Sequence, residues 1–213
     1  YGGLRQFVGY LQAVADNSTG LVVLGGMGEW APPQPQSNSK NRTTPAAAAS
    51  AFYRLLDLRY MADIADVLGK TTDAAAYRAR FERGRRAYHA AFAVAKEDGH
   101  PSWCFYAGCT QTAHLMPLVL DAMPSEMRSA VERGLITLVT DCDPTYVGVP
   151  NVSGAIPPRH LAAGAIAATS ILDTLTELGP AVLSHSILLT GPQPPSGINV
   201  PPPDSLPSHH AQA

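Results

Sequence analysis

The sequence lacks the marks of several large protein classes. No run of about 18 apolar residues occurs, so no segment reads as a bilayer-spanning helix. Charge is sparse at 15% of residues, and the 15 lysines and arginines are scattered within a net charge of -2. That leaves no electrostatic footprint for a nucleic-acid partner. The densest basic group, Arg78, Arg80, Arg83, Arg85 and Arg86, is interrupted by Glu82, and the helical period spreads it over a solvated face. Only 3 cysteines are present, Cys104, Cys109 and Cys142, an odd number that makes no disulfide framework. Cys104 and Cys109 could pair, although nothing in the sequence demands it. Their spacing, with no histidine pair nearby, misses the usual zinc-ligand patterns, so neither a metal nor a cofactor is expected. No serine or cysteine sits in a nucleophile elbow. The glycine run Gly25, Gly26 and Gly28 lacks the lysine of a phosphate loop and leads into Pro32, Pro33 and Pro35. The chain starts at Tyr1 without a basic and then apolar leader, which reads as a fragment or a processed form. Asn-x-Ser/Thr triplets at Asn17, Asn41 and Asn151 tilt the reading towards secretion.

What the sequence does have is helical periodicity. Leu4, Phe7, Val8, Leu11 and Val14 form one apolar stripe that ends near Asp16. A long helix is predicted from Ala46 to Leu68, with Phe52, Leu55, Leu56, Met61, Ile64, Ala65 and Leu68 buried and Gly69 as its left-handed cap. Thr72 can cap a following helix that carries Tyr77, Phe81, Tyr88 and Phe92 as core residues until Asp98, Gly99 and Pro101. Helices joined so tightly must run antiparallel. A second pair is expected at Gln111–Met123 and after Pro124, with Pro124 in its first turn. Residues 141–159 read as irregular, His160–Leu178 as an alanine-rich helix and Ala181–Leu189 as a weaker one. No strand pair is predicted. From Gly191 the proline-, serine- and histidine-rich chain reads as a disordered tail. The expected organisation is one all-α domain over residues 1–190 and a tail over 191–213.

A sugar site needs an aromatic face for the ring and a carboxylate for its hydroxyls or for proton transfer, and Glu29-Trp30 puts the two side by side in a glycine-rich loop. The run from Gly25 to Trp30 resembles the Gly-Asp-Trp loop of the α-L-rhamnosidases, with Glu29 in place of the aspartate. Further segments keep that family's order: Thr44-Pro45, the Met61–Gly69 stretch, Ala76-Tyr77, Thr110-Gln111-Thr112-Ala113, Met123–Glu126 and His160–Gly164. The resemblance covers roughly 170 residues. It implies a partial (α/α)6 toroid of helical hairpins, the C-terminal half of such a catalytic domain. It also implies an inverting acid/base hydrolysis of terminal α-L-rhamnose, with a rhamnose-containing glycoside or polysaccharide as partner.

Candidate substrate-binding residues are Trp30 for stacking, Glu29 for a hydroxyl and His160. Each has a plainer reading: a core or surface indole, a solvated loop carboxylate, and a structural histidine at a helix start. Gln111 can simply hydrogen-bond near its helix start. The family's general acid is implied to be a glutamate in an Asp-Glu-Arg-x-Gly-Trp segment upstream of the loop, and no such segment occurs. Its general base is implied to lie in a Trp-Glu-Arg-Trp-like segment after Pro-Ser-Trp-Gly. Here Pro195-Ser196-Gly197 matches only part of that stretch. Inversion needs two carboxyl groups roughly 6.5 to 9.5 Å apart. No catalytic residue is therefore assigned, and the chain alone is expected to be inactive. Another (α/α)6 glycosidase or lyase, or a non-catalytic helical scaffold, stay as alternatives.

Overall fold

The computed structural model describes residues 1–22, 28, 44–95, 100, 102–140, 167 and 169–178. Six helices run through them: α1 Gly2–Val14, α2 Ala46–Val67, α3 Thr71–Phe92, α4 Gln111–Leu120, α5 Ser125–Thr140 and α6 Ile171–Leu178. No strand occurs among the described residues. The one extended pairing is an antiparallel bridge between Ala93 and Tyr106. The chain is all-α, as its periodicity predicts.

The α2–α3 hairpin turns because Gly69 takes φ +69, a left-handed conformation that costs a glycine little. Gly69 N–H bonds the Asp66 carbonyl at 2.9 Å and Lys70 N–H bonds the Ala65 carbonyl at 2.7 Å, closing a Schellman motif. Helix α3 begins at Thr71 with Lys70 as its N-cap and no side-chain cap bond, so Thr72 lies inside the first turn and is not the cap. The Schellman turn hands the chain back into helix within three residues, which leaves no room for a separate capping residue. An ion pair between Asp66 and Arg78 brackets the turn, and farther along Gly84 meets the Leu55 side chain, as antiparallel packing requires. Tyr77 and Tyr88 are buried, with Phe81 and Phe92 packed partly buried against the core.

The second hairpin follows the same logic with different chemistry. Thr110 caps α4 by accepting the Ala113 N–H at 3.0 Å. Asp121, at φ 51, ends α4 earlier than the apolar run suggests, and α5 starts one residue beyond Pro124. Gln111, at the start of α4, donates to the carbonyl of Leu138 near the end of α5 at 3.0 Å, so these two helices are also antiparallel. Among the residues of α4 only Val119 is not fully buried. A helix covered on every side lies at the centre of its assembly, and α4 touches α2, α3, α5 and α6.

Helix α1 departs from the predicted stripe. Val8 is buried, but Phe7 remains 52% exposed and Leu4 50%. Periodicity identifies an apolar face without saying what covers it, and α1 packs mainly on α2. Leu68 is likewise 51% exposed, because it lies where α2 has already turned away from the core. The irregular stretch, most of His160–Leu178 before α6, the helix at Ala181–Leu189 and the tail lie outside the described residues.

Two glycines test this packing. A Cβ at Gly134 would stand 2.5 Å from the Trp103 carbonyl oxygen, which is backbone and cannot yield cheaply. A Cβ at Gly9 meets nothing within 4 Å. Gly9→Ala should raise stability by about 0.5–1 kcal/mol through helix propensity. Gly134→Ala should lower it by about 1–3 kcal/mol despite the same propensity gain. Thermal unfolding of the two variants checks both signs.

Candidate functional site

Glu29, Trp30 and His160 all lie outside the described residues, so the site is built from the framework around them. Gly28, the residue before Glu29, has φ +60, and its Cβ position lies 3.6 Å from the Cα of Ala46 and from the Thr44 carbonyl oxygen. Gly28 thus lies against the N-terminus of α2. Thr44 is buried, and its hydroxyl lies 2.6 Å from that of Thr110, the cap of α4. The beginnings of α2 and α4 are tied together beside Gly28. Of the motif residues read from the sequence, the structure brings together Gly28, Thr44-Pro45 and Thr110-Gln111.

The buried polar residues at the start of α4 explain how this end stays fixed. Gln111 bonds across to α5, beyond its own helix start. His114 is buried completely, one turn into α4. Its Nδ1 lies 2.9 Å from the Thr110 carbonyl oxygen, and its Nε2 accepts the Phe105 N–H at 3.2 Å. Nε2 also lies 3.1 Å from the Trp103 carbonyl oxygen, so a neutral ring donates to one of two carbonyls, and the form with the proton on Nδ1 is the one that also accepts the Phe105 N–H. Burial away from water pushes the imidazole below its ordinary range, which keeps it in this neutral form. The neighbouring loop is held by a second histidine, His89, whose Nδ1 lies 2.8 Å from the Tyr106 hydroxyl.

Two other features add to the sequence reading. Arg54, in the middle of α2, is 1% exposed; it donates to Gln12 Oε1 at 2.9 Å, while its Nε and Nη1 have no partner among the described residues. Loss of hydration, and then the nearby Arg80 charge, bring its guanidinium down to about 10. Burial also raises the carboxyl of Asp57, one turn along the same helix, against the lowering effect of Arg54. The other feature is a cluster of His100, Cys104 and Cys109, with Cys104 and Cys109 joined as a disulfide. Arg54 gives no local signal because it sits in an apolar helical run. The cysteine pair was visible but left open.

A sequence profile described as the bacterial α-L-rhamnosidase 6 hairpin glycosidase domain matches residues 1–198. The chain belongs to that family. This six-hairpin glycosidase domain is also similar in structure to three solved α-L-rhamnosidases. The protein from Dictyoglumus thermophilum superposes with a TM-score of 0.65 at 23% identity, over 87% of this chain and 18% of that one. The Streptomyces avermitilis protein, solved in complex with L-rhamnose, gives 0.62 at 22% identity over 86% of this chain and 15% of that one. The Aspergillus terreus protein gives 0.66 at 19% identity over 88% and 20%. The chain spans no more than a fifth of the length of these proteins. No curated protein matches it. The glycoside-hydrolase character expected from the sequence therefore holds at the level of the family.

The histidines predict a pH dependence with a definite sign. The unfolded chain takes up protons at the ordinary histidine value near 6.5, whereas folded His114, and folded His89 by the same cause, do so only at lower pH. Acidification through and below pH 6.5 therefore favours the unfolded state, and the stabilisation is complete only above that value. Denaturant melts should lose midpoint as pH falls from about 7.5 to 5.5. In His114→Gln the loss should be smaller, with stability at neutral pH lower by about 1–3 kcal/mol.

Proposed function

We propose that the chain is a sugar-holding part of an α-L-rhamnosidase catalytic domain and does not complete the reaction alone. The family match over residues 1–198 carries this reading. Its geometric support is Gly28, held against the start of α2 beside the Thr44–Thr110 contact, at the head of the Glu29-Trp30 segment. In this reading Trp30 stacks on the apolar face of the sugar and Glu29 accepts a ring hydroxyl. His160 contributes a further polar contact. The substrate class is a terminal α-L-rhamnose on a glycoside or polysaccharide, and a relative solved with L-rhamnose bound supports that choice.

The full reaction of the family, in this reading, is inverting hydrolysis. One protonated carboxyl serves the leaving oxygen, and one carboxylate activates water from the opposite side. The sequence holds no segment matching either glutamate of the resemblance, so neither proton transfer has a group here. The folded domain body is taken as residues 1–190 with 191–213 as tail. The exposed apolar residues Leu4, Phe7 and Tyr10 of α1 form a row on one face, as expected of a helix that further hairpins cover in a complete ring.

The expected outcome is binding without turnover. The chain alone should release no aglycone from an aryl α-L-rhamnoside, while L-rhamnose should quench its tryptophan fluorescence. Trp30→Phe should abolish the quench and leave the helical circular dichroism unchanged. Hydrolysis by the isolated chain would overturn the inactive reading. A quench that persists in Trp30→Phe would remove Trp30 from the site.

A further inference from the structure

The loop between α3 and α4 carries chemistry that sugar binding does not use. The Nδ1 atom of His100 lies 3.7 Å from the Sγ of Cys109. The ligand-capable atoms of His100, Cys104 and Cys109 all fall within 4.8 Å of one another. Both sulfurs are buried and His100 is half-buried, so the cluster has one side towards solvent. We propose that these three residues form a redox-gated zinc site, closed as the Cys104–Cys109 disulfide when oxidised and able to hold Zn2+ through two thiolates and one imidazole when reduced.

The spacing suits that ion. With Zn–S near 2.3 Å and Zn–N near 2.0 Å, tetrahedral geometry puts a sulfur and a nitrogen ligand about 3.5 Å apart and two sulfurs about 3.8 Å apart. The His100–Cys109 separation of 3.7 Å comes within about 0.2 Å of the first requirement. The second needs only that the sulfurs part after reduction, and the Cα atoms, 5.1 Å apart, can stay where they are.

Bonds other than the sulfur bond tie the described part of the loop to its surroundings. Val94 N–H bonds the Phe105 carbonyl at 3.0 Å, and Ala107 N–H bonds the Phe92 carbonyl at 2.9 Å. His89 and His114 pin Tyr106 and Phe105 from two helices. Reduction therefore leaves two thiols facing one imidazole in a preformed cradle. Two thiolates and an imidazole are a borderline-soft donor set that suits zinc over magnesium or calcium. The fourth position is left for water.

The chemistry balances with a dithiol as reductant. The dithiol gives two electrons and two protons, the Cys104–Cys109 bond breaks to two thiols, and the dithiol closes to its own disulfide. Zinc binding then releases both thiol protons, which makes the affinity rise with pH. The usual zinc patterns miss the site because they require four ligands, with histidines in pairs, whereas here one histidine stands four residues before the first of two cysteines.

The test uses the full chain, reduced with a dithiol, freed of it anaerobically, and titrated with Co2+ as a spectroscopic probe for zinc. One equivalent should develop thiolate-to-cobalt charge-transfer and tetrahedral d–d bands, and Zn2+ should displace them. The bands should be absent from the oxidised chain, from Cys104→Ser and from Cys109→Ser, and present in Cys142→Ser. His100→Ala, which leaves the disulfide possible, should weaken binding by more than about tenfold. Reduced protein without thiolate bands would overturn the proposal. So would bands that survive in Cys104→Ser, that vanish only in Cys142→Ser, or that keep full affinity in His100→Ala.

Discussion

A helix buried on all sides must satisfy its polar side chains from within the protein, and in this structure that requirement falls on α4. Thr110, Gln111, Thr112 and His114 are all buried around its first turns. An unmade hydrogen bond there would cost roughly 1–3 kcal/mol for each group. Each bond that avoids the cost also fixes a neighbour. Thr110 meets Thr44 before α2, Gln111 reaches α5, and His114 grips the loop at Phe105. Buried apolar residues such as Leu115, Leu118 and Leu120 add roughly 1.5–3 kcal/mol apiece, but that attraction has no direction. The polar collar chooses one arrangement among the many that the apolar surface would tolerate.

That collar determines what the chain can offer as a glycosidase-family domain. The segment with Glu29 and Trp30 starts from Gly28, which rests on the chain leading into α2, and α2 is tied to α4 through Thr44. The cysteine loop enters α4 through the same cap residue, Thr110. The two proposed sites, of different chemistry, thus depend on one helix start. In the proposed reading loops carry binding and helices hold them, a division that lets helical hairpins with little sequence identity share a fold.

Most of the framework was legible because its signals are local. The stripe of Tyr77, Phe81, Tyr88 and Phe92, the glycine at position 69 and the Thr110 start each encode an element through neighbours a few residues away. The fold class followed from them, and the family from the ordered motifs. What was not legible depends on contacts distant in sequence. His114 looks like any histidine in an apolar run until the backbone of Phe105 arrives beside it. Arg54 gives no sign that α1 and α3 will cover it, nor Phe7 that nothing described does. A buried guanidinium with two nitrogens unpartnered among the described residues is a destabilising feature that no propensity scale registers. The three candidate sugar-binding residues fall outside the described residues, so only their framework is shared between sequence and structure.

If the polar collar on α4 is what the rest depends on, its backbone should be the last to open. Native-state amide hydrogen exchange, resolved by residue or by short peptide, measures this directly. The slowest amides should be those of α4 after its first turn together with that of Phe105, at a free energy close to global unfolding, while α1 exchanges much earlier. Exchange of α4 and Phe105 as fast as that of α1 would contradict the account, because the collar would then be a consequence of the packing and not its constraint.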